Sequence, residues 1–173
     1  EIGGLVAAGP GDCTVEVLQD GQVVAVSNPL RVVEATELLP YWGDLHGQSE
    51  ETIGSNSARD YFAFARDRAF VDVVGHQGND FQITRELWAE LEGLTAEFNQ
   101  PGRFVTLPGY EWSGNTGLGG DRNIYFTSEG QQIRRSSHAL IEDHSDLDTD
   151  CATAGELFAA LVADERGALA FAH

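Results

Sequence analysis

Four residues of metal-binding types stand at or just beyond the ends of apolar segments of this chain. They are His46, His76, Glu111 and His173. Each segment has the composition of a β-strand. Imidazole binds zinc, iron, nickel and copper, whereas carboxylates favour harder ions such as manganese. Because chemistry in β/α folds gathers at the carboxyl ends of the strands, we expect these four side chains to form a metal site.

The first of these strand ends carries two further polar residues around His46. Gln48 lies two positions beyond it, so both side chains can point to the same side and bind one ion. Asp44 lies two positions before it and can orient the imidazole as a hydrogen-bonded carboxylate. A lone histidine at a strand end would instead be an ordinary hydrogen-bonded residue. With these neighbours, the segment predicts a ligand pair, His46 and Gln48, supported by Asp44.

Two carboxylates are candidates for the same centre. Glu111 lies between Tyr110 and Trp112, where an unpaired carboxylate is costly unless a cation or a donor meets it. We interpret it as a ligand or an acid/base group, with a salt bridge as the alternative. Asp121 follows a glycine-rich loop and is predicted to reach the same ion, although Arg122 beside it could neutralise it instead.

The predicted substrate is a small anionic molecule. Arg134 and Arg135 form the only adjacent basic pair, and His138 follows them closely. This patch suits an anionic group, although a solvated loop would have the same composition. Proton transfer requires groups that titrate near the site. The predicted substrate contacts are Arg122, Arg135 and Asn79, and the predicted catalytic residues are Asp44, Glu51 and His138.

Composition excludes several classes of function. The formal net charge is -18, and all ten basic residues are arginine. Such a chain repels phosphate backbones, so no nucleic acid partner is expected. No apolar run is long enough to span a membrane, so no membrane segment is expected, and no signal segment is visible in the sequence. Cytoplasmic location and secretion after removal of a signal peptide both remain open. The cysteines, Cys13 and Cys151, match no metal or redox spacing.

The segments that must position these residues fall into two parts. Residues 1–38 are β-rich, with a hairpin around Asp20 and Gly21, and are interpreted as the tail of a sandwich-like domain and a linker. Residues 39–173 alternate strands and helices, which predicts parallel β/α units in a barrel or an open sheet. Helices are predicted after Asn56 or Ser57, after Thr84, and after the capping box of Thr153 and Glu156.

Three phrases resemble the PHP (polymerase and histidinol phosphatase) superfamily. They are Tyr41–His46, Pro108–Ser113 and Arg122–Phe126, and they are most similar to a branch that places Tyr-Trp-Gly-Asp-Leu-His after a β-rich segment. The resemblance implies the first part of a distorted seven-stranded β/α barrel. It also implies one to three zinc, manganese or iron ions, and phosphoester hydrolysis by a metal-activated hydroxide. The residues that match the family's ligands by position are His46, His76, Glu111 and His173.

The chain departs from the family pattern at three positions. Gln48 replaces the second histidine of His-x-His, Asp121 stands where that branch usually has histidine, and Gly75 precedes His76 in place of aspartate. The closing Asp-x-His motif is absent, so a longer native protein is expected. Two alternatives follow. The domain is a degenerate metal-binding module without catalysis, or it hydrolyses an ester, lactone or amide of a sugar derivative.

Overall fold

The computed structural model describes residues 5–114, 117 and 119–173, and the chain divides after Pro40. The first unit consists of two antiparallel strand pairs. Strand β1 (Gly11–Cys13) pairs with β4 (Leu30–Val32), and β2 (Glu16–Gln19) pairs with β3 (Gln22–Val26). The two residues between β2 and β3, Asp20 and Gly21, have φ angles of 51° and 77°. Such left-handed pairs match the twist of a hairpin, so the predicted hairpin is confirmed.

A parallel sheet opens the second unit, Tyr41–His173. Its strands are β5 (Gly43–Gly47), β6 (Val73–His76) and β7 (Val105–Leu107), with β6 in the centre. Gly75 in β6 approaches the Tyr125 ring so closely that an added Cβ would lie 2.8 Å from it. A side chain larger than glycine would therefore force this aromatic ring to move.

An antiparallel sheet follows and has β9 in its centre. Its strands are β8 (Gly109–Trp112), β9 (Arg122–Phe126) and β10 (Ala168–Ala172). A single bridge between Asn79 and Glu111 connects β8 to the segment that follows β6. This bridge brings the ends of the two sheets together.

Three α-helices are present in the described part of the second unit. Helix α1 (Ala58–Phe64) is capped by Ser57 and continues as a π-helical turn, Ala65–Ala69. Helix α2 (Arg85–Phe98) is capped by Thr84, as predicted. Helix α3 (Ala154–Ala163) begins with the predicted capping box. Its apolar side and those of α1 and α2 form a core with the sheets, which includes Phe62, Trp88, Leu91, Phe98, Trp112 and Leu157.

The predicted seven-stranded β/α barrel is wrong for the residues that the structure describes. They form small parallel and antiparallel sheets with three α-helices, a mixed α/β arrangement without a closed barrel. The reason lies in the connections. A parallel pair needs a crossover of a dozen or more residues, and the link from Trp112 to Arg122 is shorter than that. The chain therefore returns antiparallel, as β9.

Two further predictions concern the same unit. The glycine-rich loop predicted over Gly114–Gly120 lies partly outside the described residues. Within the described ranges, no helix combines the length and the apolar character needed to span a membrane.

Candidate metal centre

Glu111 lies at the junction between the two sheets. It is a buried residue of β8, and its backbone N–H donates to the Gly78 carbonyl at 2.9 Å. On the other side of β8, Asn123 of β9 is its direct partner in the antiparallel register. His46 approaches from β5, and His173 follows β10, where its N–H donates to the Asp121 carbonyl at 3.1 Å. Strands β5, β8 and β10 therefore bring these three side chains close together.

The side chains of His46, Glu111 and His173 meet there. His46 Nε2 lies 3.4 Å from Glu111 Oε2, and His173 Nδ1 lies 3.9 Å from Glu111 Oε1. The two imidazole rings stack with centroids 4.2 Å apart. One ligand atom from each residue lies within 4.8 Å of the others. Two imidazoles and one carboxylate at this spacing are a donor set that suits a transition-metal ion.

Asn123 determines how His46 presents its ring. The side-chain oxygen of Asn123 lies 2.8 Å from His46 Nδ1. An amide oxygen only accepts hydrogen bonds, so Nδ1 carries the proton in a neutral ring. The lone pair of Nε2 then faces Glu111. Asn123 itself is buried, which fixes the amide in place.

Removal of the Asn123 amide is expected to weaken metal binding without removing a ligand. We expect Asn123→Ala to lower the affinity for Zn²⁺ or Mn²⁺ by about 10- to 100-fold, because His46 loses the group that selects its tautomer and orientation. Isothermal titration calorimetry measures the change. The exposed Asn28→Ala serves as the control, and equal affinities in both variants would contradict this role for Asn123.

The surroundings of Glu111 favour a positive partner. Burial raises the pKa of the Glu111 carboxyl group, and the neighbouring Asp121 raises it further, while His173, His46 and Ser113 act in the opposite direction. The Ser113 hydroxyl lies 3.4 Å from Glu111 Oε1 and can donate to it. A cation at this position would offset the cost of burying the charged carboxylate.

His76 lies outside this group, although the sequence predicted it as a ligand. Its Nδ1 accepts from the Gly78 N–H at 3.2 Å, and its Nε2 lies 2.8 Å from the Ser49 hydroxyl. Burial lowers the pKa of His76 to about 4, so the ring is neutral at physiological pH. Both ring nitrogens therefore have protein partners in this structure.

Gln48 and Asp121, which were also predicted as ligands, differ in whether they lie beside the three-residue group. The Gln48 amide donates to the Gln77 carbonyl at 2.6 Å and accepts from the Thr52 hydroxyl at 2.6 Å, so both of its polar atoms are used. Asp121 is close enough to Glu111 to influence its pKa. Of these two predicted ligands, Asp121 is the one that lies beside the three-residue group.

The predicted catalytic residues Asp44 and Glu51 contact the backbone. Asp44 Oδ1 accepts from the backbone N–H of His46 at 3.0 Å, whereas the imidazole is oriented by Asn123. Glu51 Oε1 accepts from the Ala58 N–H at 3.4 Å, at the start of α1. Burial would raise the pKa of Glu51, but hydrogen bonds from Ser49 and the backbone and the nearby His76 hold it below its usual value.

The predicted substrate contacts separate into two groups. The Asn79 amide donates to the Ser113 hydroxyl at 3.1 Å and lies beside Glu111, and its buried oxygen has no partner within the described residues. Arg122 donates to the Asp121 carbonyl at 2.8 Å and remains partly exposed. Arg135 is fully buried, and its guanidinium donates to the Ile83 carbonyl and to Asp146, which removes it from contact with solvent.

His138, the third predicted catalytic residue, lies in the same buried network as Arg135. Its Nδ1 lies 2.6 Å from Asp150 Oδ2, and its Nε2 lies 2.9 Å from Asp146 Oδ1. Only a protonated imidazole can donate to two carboxylates at once. Burial lowers the pKa of His138, but the hydrogen bonds to Asp150 and Asp146 outweigh burial and raise it above its usual value, against the opposing charge of Arg135.

This arrangement predicts a pH dependence of stability. Because the pKa of His138 is raised by folding, its stabilising contribution is complete below about pH 6.5, the usual histidine pKa, and is lost as the pH rises through the raised value. Urea unfolding between about pH 6 and 9 should therefore show a loss of stability in the native chain that is absent in His138→Gln. Parallel pH profiles of the two proteins would contradict this role.

Three polar residues near the site were missed from the sequence: Asp80 and Asn123, which are buried, and Ser113, which is half-buried. Asp80 accepts from the N–H groups of Phe81, Ser113 and Ser136, and burial raises its pKa to about 6. Ser113 and Asn123 contact Glu111 and His46 as described above. Asn123 carried a usable signal, since it is an amide directly before the run Ile124, Tyr125 and Phe126 in the same strand. Asp80 begins a short 3-10 helix and Ser113 directly follows β8, and polar residues are ordinary in such connecting segments.

Comparison with known proteins identifies relatives without assigning an activity. A family model described as a protein of unknown function (DUF3604) matches residues 19–172. A curated but uncharacterized protein of Chlamydia pneumoniae is 26% identical over 110 residues, which cover 62% of this chain and 18% of that protein. The chain thus spans less than a fifth of the length of this relative. No solved structure matches the chain.

Proposed function

Since this chain belongs to the DUF3604 family, whose function is unknown, we propose its activity from its own side chains: it is a metal-dependent hydrolase. The observation that carries this proposal is the convergence of His46, Glu111 and His173, with ligand atoms within 4.8 Å of one another. A divalent ion held by His46, Glu111 and His173 would supply Lewis-acid chemistry, activating water for attack and polarising the bond to be cleaved.

The residues around the three proposed ligands orient those ligands or offer contacts to a substrate. Asn123 holds the His46 ring with Nε2 toward Glu111, and Ser113 contacts the carboxylate. Asn79 offers a buried amide oxygen beside Glu111 with no partner among the described residues. We assign it to hydrogen bonding with a substrate or a water molecule. Arg122 is the arginine on the neighbouring strand that remains available to an anionic group.

A phosphoester is the proposed substrate class. The phrases that resemble the PHP superfamily contain His46, Glu111 and Asn123, which lie together in the structure. This supports the proposal that the chain catalyses the same type of reaction as that superfamily. The net charge of -18 argues against nucleic acid, whereas the metal and Arg122 could neutralise the single phosphate group of a small molecule. We propose one ion per chain. His76 and Gln48, which a second ion would need, have protein partners for their polar atoms.

The proposal is tested by metal content and hydrolysis together. The purified chain is reconstituted with Zn²⁺, Mn²⁺ or Fe²⁺, its metal content is measured by atomic emission, and it is assayed with aryl phosphates, phosphodiesters, esters and lactones. One ion per chain with phosphatase turnover is the expected result. Binding without turnover of any of these compounds would favour the alternative of a metal-binding module without catalysis. Turnover of esters or lactones alone would replace phosphoester as the substrate class.

A further inference from the structure

A cavity of about 700 Å³ lies beside helix α1. This volume is within the range of small-molecule binding sites, about 300–1,000 Å³. Its lining comes from the segment after β5, from α1, and from the π-helical turn that follows α1. None of the three proposed metal ligands is among the residues that line it. It is therefore a separate site that the proposed hydrolysis does not use.

The wall formed by residues 48–56 has a fixed shape. The N–H groups of Thr52 and Gly54 both donate to the Ser49 carbonyl, at 3.0 and 2.8 Å. The Glu50 N–H donates to the Asn56 carbonyl at 2.8 Å, which closes the loop. An added Cβ at Gly54 would lie 2.6 Å from the Gln48 backbone, so the chain packs against itself here. Because these contacts are internal, the wall does not need a ligand to form.

The opposite wall includes an irregular stretch of helix. The π-helical turn Ala65–Ala69 contributes Asp67 and Arg68 to the lining. Such turns are rare and occur frequently at functional sites. The turn ends at Phe70, a residue other than glycine with a φ of 53°, which is an unfavourable backbone conformation. Phe70 itself is not among the lining residues, so the π-helical turn is the irregular feature that bears on the cavity.

The lining combines polar and apolar side chains, is nearly neutral, and includes one exposed aromatic ring. Phe64 is 63% exposed. The Asn56 amide and the Ser55 hydroxyl have no hydrogen-bond partner in the described part of the chain. Asp67 is paired bidentately with Arg66, and Asp60 and Arg68 balance each other in charge. An anion would meet two carboxylates, and an apolar ligand would bury unpaired polar groups at a cost.

We propose that this cavity binds a neutral sugar. A sugar presents apolar C–H groups on its ring face and hydroxyls at its rim. Phe64 offers a surface for the ring face, while Asn56, Ser55 and Asp60 offer donors and acceptors for the hydroxyls. An exposed aromatic ring, the Asn56 amide and a balanced charge together match the mixed apolar and polar surface of a neutral sugar. The proposal is independent of metal binding and of hydrolysis.

The test uses saturation-transfer NMR on the full chain in the presence of EDTA. The probes are the methyl glycosides of glucose, galactose and mannose. At least one glycoside is expected to bind with a dissociation constant of about 1 mM. Phe64→Ala should weaken that binding about tenfold. Asn56→Gly should also weaken it, since glycine keeps the φ of 61° while the amide is lost. Phe158→Ala on α3, another exposed phenylalanine, is the matched control and should bind normally.

Three results would overturn the proposal. The first is no signal from any glycoside at about 50 mM, a concentration at which weak sugar sites are occupied. The second is equal binding by Phe64→Ala and Phe158→Ala, which would place the sugar elsewhere. The third is tighter binding of choline or of glucose 6-phosphate, which would make charge, and not the polyol, the recognised feature. None of these results bears on the proposed hydrolase activity, which is tested by the separate metal-binding and hydrolysis assays.

Discussion

Replacing Glu111 by glutamine is expected to lower the affinity for Zn²⁺ or Mn²⁺ by more than about 100-fold and to abolish metal-dependent hydrolysis. The substitution keeps the size of the side chain and removes the only negative charge of the three-residue group. Glu111 lies within 3.4 Å of His46 and 3.9 Å of His173, so it is the member that contacts both of the others. An ion bound by two neutral imidazoles alone would have one ligand fewer and no negatively charged group to offset its own charge.

The measurement is isothermal titration calorimetry with each metal, followed by the hydrolysis assay at saturating metal. Glu129→Gln is the matched control, because Glu129 is exposed and is not a member of the three-residue group. Circular dichroism should be the same in both variants, since burial already raises the pKa of the Glu111 carboxyl group. Native-like metal affinity in Glu111→Gln would reject this site and the proposed function with it.

Replacing Arg135 by alanine is expected to destabilise the fold by about 3–5 kcal/mol. The guanidinium of Arg135 is fully buried. It donates to the Ile83 carbonyl at 3.0 and 2.9 Å and to Asp146 Oδ2 at 2.7 Å. Removal leaves the Asp146 carboxylate with His138 as its remaining charged partner and deprives its Oδ2 of a donor, and it takes both guanidinium donors from the Ile83 carbonyl. Such uncompensated burial is among the most costly consequences of a single substitution.

Urea unfolding followed by fluorescence measures this loss. The control is Arg59→Ala. Arg59 also makes a bidentate pair, with Glu97 at 2.6 and 2.8 Å, but its side chain is 55% exposed, so the expected cost is below about 1 kcal/mol. A similar small cost for Arg135→Ala would show that the buried network contributes little. In that case Arg135 could again be considered for substrate binding.

Local features of the fold were predictable from the sequence. Ser57, Thr84 and Thr153 cap the three α-helices because each places a side-chain oxygen within reach of the next turn, a relation that involves only three or four residues. The hairpin at Asp20 and Gly21 is local for the same reason. These elements depend on neighbouring residues alone.

The sheet topology and part of the site were not predictable in this way. The apolar run from Phe104 to Glu111 looks like one strand, but it is divided between two sheets around Pro108, which has no N–H to donate to a ladder. His76 and Ser49 are 27 positions apart, so their hydrogen bond depends on the tertiary fold. Arg135 is a further example, since a basic pair in a polar loop gives no sign that one of its members is buried.

The stacked imidazoles of His46 and His173 have a thermodynamic consequence. These rings come from the opposite ends of the second unit in sequence, and Glu111 lies between them along the chain. The proposed binding site therefore exists only when β5, β8 and β10 are assembled together. An ion that binds this state and not the unfolded chain adds its binding free energy to the stability of the whole assembly. Metal supply would then govern the lifetime of the folded protein as well as its chemistry.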